Sequence, residues 1–163
     1  MDHQEHKPVR LNLGAGSQPL DDFINLDGAK GDVIYPLNYS EVDEIRASHV
    51  LEHFGYVESQ HVLKDWIKCL KVGGVLKIAV PNFTLIANNL DKLKQFEQYV
   101  MGGQVDELDY HKSLWYTDKL EILLKHFGLT DIEPWESEVK DCASFPISLN
   151  LKGVKHGERR SDL

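Results

Sequence analysis

Three groups of residues carry chemistry by type and spacing. The first is Gly14-Ala15-Gly16, which follows directly on the apolar run Val9 to Leu13. Glycines at a strand end let the backbone approach a ligand that a side chain would repel. The second is Asp27, followed by Gly28, at the end of the next extended run, Phe23 to Asp27. A carboxylate there can accept hydrogen bonds from both hydroxyls of a ribose, so an adenosine moiety fits the two motifs together. The third is His49-Val50-Leu51-Glu52-His53, with His111 further along. An unperturbed imidazole titrates close to neutral pH, which makes His53 and His111 candidate general bases. Each group also has a structural reading: a plain turn at the glycines, a solvated Asp27, a capping His53, a loop His111.

His49-Val50-Leu51-Glu52-His53 also matches the His-x-x-Glu-His pattern of inverted zinc peptidases. That chemistry needs His49 and His53 on one helix, a third ligand from elsewhere, and Glu52 as base. It has no use for the glycine turn, Asp27 or the later Val72-Gly73-Gly74 segment. The sequence therefore assigns no metal ligand, and zinc hydrolysis stands as a lesser alternative.

These residues need elements to position them. Short strands are predicted at Val9–Leu13, Phe23–Asp27, Asp32–Tyr35 and Glu44–His49, with little helix between them. From Ser59, the positions Val62, Leu63, Trp66, Ile67 and Leu70 recur at helical steps, and Gly73-Gly74 ends that helix. Val75–Val80 reads as a buried strand, followed by a less regular helix from Phe83 toward Phe96. Thr117 to Phe127 is predicted as a helix, with Thr117 as N-cap and Gly128 at its end. Leu129–Glu136 and Ile147–Leu151 complete the strands. Strands alternating with helices predict an α/β, Rossmann-like, doubly wound and mostly parallel sheet with an antiparallel edge strand. Only nine residues separate Leu13 from Phe23, fewer than the dozen or so of a usual parallel crossover. The first crossover helix must be shortened or lost.

Strand, Gly14-Ala15-Gly16, strand, Asp27, then Ala47-Ser48-His49-Val50-Leu51-Glu52-His53-Phe54 and Leu70-Lys71-Val72-Gly73-Gly74-Val75-Leu76-Lys77-Ile78 together resemble the class I S-adenosylmethionine-dependent methyltransferases. The small type 11 branch is the one they resemble most. The resemblance implies S-adenosylmethionine as cofactor. Leu13, Gly14, Ala15 and Gly16 would form the turn under its methionine part, and Asp27 with Gly28 would hold the ribose. Leu37 and Asn38 would border the adenine, and Ser48 and His49 would line the methyl-transfer end. Lys71 to Gly74 is then a structural turn. Asn12 stands where many relatives carry an acidic residue, and Ser17-Gln18-Pro19 replaces the third glycine of the longer motif. An inactive cofactor-binding module is the alternative that Asn12 and the shortened first crossover keep open, and a nicotinamide-binding domain ranks below it.

The rest of the chain sets bounds. With 163 residues there is room for one domain, read as spanning 1–163 with flexible tails at 1–8 and 156–163. Twenty-six acidic against eighteen basic residues give a formal charge of −8, which disfavours a nucleic-acid partner. The only basic cluster is terminal: Lys152, Lys155, Arg159, Arg160. Cys69 and Cys142 have no metal spacing and are expected as buried free thiols, and no membrane-spanning run is present, so a cytoplasmic protein is expected. His3, His6, His61, His126 and His156 read as surface residues, and Trp66 as core. The acceptor is expected to be a small molecule or a saccharide, and a homodimer is an option for covering an open pocket.

Overall fold

Alternation of apolar and polar residues along the strands decides how the layers stack. A computed structural model of the chain describes residues 7–157. His3, His6, Arg159 and Arg160 lie outside the described residues, as does most of each expected tail. The strands are β1 (Arg10–Leu13), β2 (Ile24–Leu26), β3 (Val42–Ser48), β4 (Leu70–Pro81), β5 (Leu129–Pro134) and β6 (Ser148–Lys155). The helices are α1 (Glu58–Cys69), α2 (Phe83–Ala87), α3 (Phe96–Met101) and α4 (Thr117–His126). One six-stranded sheet runs in the order β2-β1-β3-β4-β6-β5. Strands β1 to β4 are parallel, and β6 is antiparallel to both of its neighbours. This is the expected α/β, Rossmann-like and mostly parallel sheet. The antiparallel strand lies one place in from the edge, because Leu149 and Leu151 of β6 are buried whereas β5 is largely exposed.

Register places Leu11 beside Ile45 and Leu76, and Leu13 beside Ala47, Ile78 and Leu151. These side chains share one buried cluster with Val62, Leu63, Trp66 and Ile67 of α1 and with Leu120 and Leu124 of α4. Both longer helices thus cover the same face. The opposite face carries Arg10, Asn12, Glu44, Arg46, Lys77 and Lys152, by the two-residue alternation of the same strands. Glu44 pairs with Arg10 at 3.7 Å and with Lys77 at 2.8 Å, and Lys152 pairs with Glu133 at 2.9 Å. Trp135 and Ala143 cover part of this face against Ala79.

No helix lies between β1 and β2, as the spacing requires. Asparagine side chains stand in for it. Asn12 Nδ2 donates to Asn25 Oδ1 at 2.9 Å, and Asn25 exchanges hydrogen bonds with the Leu20 backbone at 2.9 and 3.0 Å. The predicted strand at Asp32–Tyr35 does not form. Asp32 folds back to accept the Asp27 N–H at 2.8 Å, Trp66 Nε1 donates to Ile34 O at 2.8 Å, and Asp65 accepts the Leu37 N–H at 2.9 Å. Within the segment, Trp66 takes Ile34 O and the Asp32 N–H donates to Asp27 O at 3.1 Å, while Leu37 just beyond it is tied to α1 through Asp65, so the stretch is held outside the sheet.

Helix α1 stops at Cys69, short of the glycines. Its successor β4 starts at Leu70 and carries Gly73 (φ 81°) and Gly74 inside it, where the register with β3 slips between Val42 and Glu44. The segment predicted as one helix from Phe83 splits into α2 and α3. Tyr116, not Thr117, holds the N-cap position of α4, and no side chain caps it. Both cysteines are free; Cys69 is buried as expected, whereas Cys142 is exposed. His61, His126 and His156 are exposed and Trp66 is fully buried.

Candidate active site at the strand reversal

The chain leaves β1 toward β2 on one side and comes back to β3 on the other, so the sheet has a switch point at the carboxyl ends of β1 and β3. Crevices at such points are where open α/β sheets bind ligands. Gly14 (φ 67°) and Gly16 (φ 53°) turn the chain there, and the Ala15 N–H donates to Leu26 O at 3.1 Å. A Cβ on Gly14 would fall 2.4 Å from Val50 Cγ2, so the turn packs directly on the segment after β3. A Cβ on Gly16 would meet only Gly14 O, at 3.9 Å, which leaves open space over that residue.

Asp27 stands beside this turn. Its Oδ1 accepts the Ala29 N–H at 3.0 Å and so caps the short Gly28–Lys30 turn. Lys30 Nζ donates to Gly16 O at 2.9 Å and lies 3.8 Å from Asp27 Oδ2, bridging the two motifs with an exposed side chain. Ser48 ends β3, and His49 follows in the left-handed region (φ 54°), its N–H donated to Ala79 O at 2.9 Å. Gly14, Ala15, Gly16, Asp27, Gly28, Ser48 and His49 therefore gather at one end of the sheet. Leu13 and Leu37 differ: both side chains are buried in the core, leaving only their backbone to a ligand. Asn38 is exposed and follows the segment tied to α1 rather than a strand.

Behind His49 lies a second cluster. Glu52, on a single turn of 3-10 helix at Leu51–His53, has no exposed surface. Its carbonyl accepts the N–H groups of Lys112 at 2.7 Å and Ser113 at 3.2 Å, which brings His111 to the same place. Glu52 Oε1 lies 3.3 Å from His49 Nδ1, 4.0 Å from His53 Nε2 and 3.9 Å from His111 Nε2. The His53 and His111 rings are 4.9 Å apart and nearly perpendicular. Burial alone would raise the Glu52 carboxyl, but the hydrogen-bonding and charge of His49, with the charges of His53 and His111, outweigh it and hold it below the usual carboxylate value. The His49 contact is off-line, so neither carboxylate oxygen has a well-formed hydrogen bond. Burial lowers His111, and Glu52 opposes that only in part.

The sequence selects His53 and His111 separately and gives Glu52 a role only as the base of the zinc-peptidase alternative. Their meeting depends on the strap from Gly102 to Ser113, where His111 N–H donates to Met101 O at 2.9 Å, a long-range fold no local pattern announces. A glutamate with histidines at both i−3 and i+1 was the available signal. An open cleft of about 530 Å³ adjoins this cluster, lined by His111, Lys112, Ser113, Tyr56, Tyr116 and Lys119 among others.

No family model and no curated protein matches the sequence. Solved structures do. The chain is similar to one in the complex between the Trm112 methyltransferase activator and a methyltransferase of Haloferax volcanii, with 14% identity and a TM-score of 0.60 over 94% of this chain and 84% of that one. It is similar to a SAM-dependent methyltransferase from Archaeoglobus fulgidus, with 14% identity and a TM-score of 0.56 over 91% and 86%. A third is human N-acetylserotonin methyltransferase in complex with SAM, with 13% identity and a TM-score of 0.56 over 92% of this chain but 41% of that one. Together with the strand order, these likenesses define the fold: that of the class I S-adenosylmethionine-dependent methyltransferases.

Proposed function

We propose that the chain binds S-adenosylmethionine at the β1/β3 switch point and transfers its methyl group to a small-molecule or saccharide acceptor. The observation that carries this reading is the open space over Gly16, next to Asp27 on the neighbouring strand end. Gly14, Ala15 and Gly16 offer backbone groups to the methionine part, and Asp27 Oδ2 offers an acceptor to ribose hydroxyls once Lys30 swings aside. Gly28 and Asn38, and the backbone of Leu13 and Leu37, border the remainder. The cofactor supplies a methyl group on a sulfonium, already activated, so the protein mainly aligns the nucleophile and excludes water. Ser48 and His49 stand where the methyl group would lie. His53 and His111 are on the acceptor side, placed to withdraw a proton from the acceptor or to polarise it.

Among the described residues no helix is long and apolar enough to cross a membrane. A cytoplasmic enzyme of the type 11 branch fits the whole reading. Calorimetric titration with S-adenosylhomocysteine tests it. Native protein binds, and Asp27→Ala weakens binding by at least tenfold, about 1.4 kcal/mol. Absence of binding to the folded native chain would sink the reading.

A further inference from the structure

Three imidazoles converge on one buried carboxylate, and in each ring the far nitrogen is already committed elsewhere. His53 Nδ1 lies 3.2 Å from Tyr110 O, and His111 Nδ1 lies 3.1 Å from Tyr99 O. A carbonyl only accepts, so both Nδ1 atoms carry a proton, and in the neutral ring Nε2 keeps a lone pair. Both lone pairs face Glu52. His49 is set the same way from the other side. Asn150 Nδ2 is taken by the Ala143 and Trp135 carbonyls at 2.7 and 3.2 Å, which fixes its Oδ1 as an acceptor. The Ser148 hydroxyl donates to that Oδ1 at 2.6 Å, so Ser148 Oγ accepts from His49 Nε2 at 2.8 Å. His49 Nδ1 is left facing Glu52.

A fully buried carboxylate with two unpartnered oxygens, ringed by nitrogen lone pairs, calls for a cation at its centre. We propose that Glu52, His53 and His111 are the ligands of a first-row divalent transition-metal ion of the zinc type. Their ligand atoms lie within 4.8 Å of one another. Bonds of ~2.0–2.2 Å need a tighter set, so the three side chains close by about an ångström around the ion. Imidazole selects zinc-type ions over magnesium and calcium, which prefer all-oxygen sets. The Nδ1 bonds to backbone carbonyls are the support that holds metal-ligating histidines in one tautomer. His49 Nδ1, 3.3 Å from Glu52 Oε1, borders the site and is not one of the three ligands.

This is a different set from the His-x-x-Glu-His peptidase pattern. His49 and His53 share no helix, since His49 has φ 54° and only Leu51–His53 form a turn after it. Three protein ligands leave a coordination position open, and His111 lines the 530 Å³ cleft. On the methyl-transfer reading, that position takes an oxygen of the acceptor, and the ion then polarises the acceptor in place of proton withdrawal by His53 or His111; the ion site itself does not rest on that reading.

The test is titration of chelator-stripped full-length protein with Zn2+, Co2+ and Mg2+ separately, with S-adenosylhomocysteine binding measured on the same samples. The expected result is one equivalent of Zn2+ per chain, a Co2+ visible spectrum of nitrogen–oxygen ligation, and no competition by Mg2+. Glu52→Gln and His111→Ala each weaken Zn2+ binding more than the 10–100-fold typical of outer-shell changes. Because Glu52 is buried, the Co2+ spectrum of the native chain and the more exposed His53→Ala decide the matter where a variant does not fold. Failure of the folded native protein to take up one equivalent overturns the proposal, as does uptake that none of the three substitutions weakens. Metal uptake without S-adenosylhomocysteine binding upholds the site and defeats the cofactor reading, and the converse result does the reverse.

Discussion

At the residue scale, two glycines of one turn have opposite sensitivities. Alanine at Gly14 puts a Cβ 2.4 Å from Val50 Cγ2 at a φ of 67°, so Gly14→Ala destabilises the fold by about 1–3 kcal/mol, read from a denaturant midpoint. Gly16→Ala meets no obstacle closer than 3.9 Å; it costs only about 1–2 kcal/mol of backbone strain while placing a methyl group in the space proposed for the cofactor. Gly16→Ala therefore lowers S-adenosylhomocysteine affinity far more than its stability loss accounts for, and equal losses in both readouts would contradict the assignment of that space. Lys30 makes a further case. Exposed ion pairs contribute about 0–1 kcal/mol, so Lys30→Ala, by freeing Asp27 Oδ2 and Gly16 O, tightens S-adenosylhomocysteine by up to about fivefold in the same titration. The turn at Gly14 and Gly16 and the place of Asp27 just after β2 are legible in the sequence because each is local to a strand end. Glu52 is not, because its significance comes from His111, which a backbone strap delivers from nearly sixty positions away.

At the element scale, the strands with a clear apolar alternation were read correctly from sequence, and the errors fall where side chains compete for the backbone. The predicted Asp32–Tyr35 strand is apolar at Val33 and Ile34, yet Trp66 of α1 takes Ile34 O and Asp65 of α1 takes the N–H of Leu37 just beyond it. No periodicity reports that competition. The loop after β5 shows the same kind of long-range tie. Arg46 of β3 is held at 2.5 Å by Asp141, donates to Ser137 Oγ at 3.0 Å and lies over the Trp135 ring. Burial raises the Asp141 carboxyl, but hydrogen bonds from Arg46 and Ser137 and the Arg46 charge prevail and lower it below its ordinary 3.8. A carboxyl whose folded value is lowered adds stability above its unfolded value and loses it as pH falls through the folded one. The Asp141 contribution is thus complete above pH 3.8 and disappears below it. Asp141→Ala leaves Arg46 unpaired on a nearly buried face, and the expected loss is about 3 kcal/mol at neutral pH, shrinking toward acid pH. A loss that stays constant from pH 7 to pH 3 would show that the pair contributes nothing through charge.

At the scale of the whole molecule, the described residues keep one layer of longer helices, α1 and α4, and leave the other sheet face to ion pairs and to the segment that carries Trp135, Asp141 and Ala143. The edge next to the proposed cofactor site is consequently thin. Strand β2 is three residues long, with Ile24 exposed and Asn25 and Leu26 half-buried, and it is joined to the rest by its ladder with β1, the Asn12–Asn25 bond, the Ala15–Leu26 bond and the packing of Leu26 on the core. A ligand that grips both the glycine turn and Asp27 ties this edge across the switch point to β3. Binding only to the folded state adds about 2.7 kcal/mol at a ligand concentration one hundred times Kd. For a domain of this size that corresponds to a rise in Tm of about 5–10 °C. Hydrogen exchange localises the gain, with protection increasing most at Ala15 and in β2 and least in β5, at the opposite edge of the sheet. Asp27→Ala, unable to hold the second half of the ligand, lowers the Tm of the free protein by about 2–4 °C through the lost cap on Ala29 and loses most of the ligand-induced rise. A protection pattern spread evenly over β2 and β5 would mean that S-adenosylhomocysteine binds elsewhere, and that the open edge is a consequence of the missing layer rather than a ligand site.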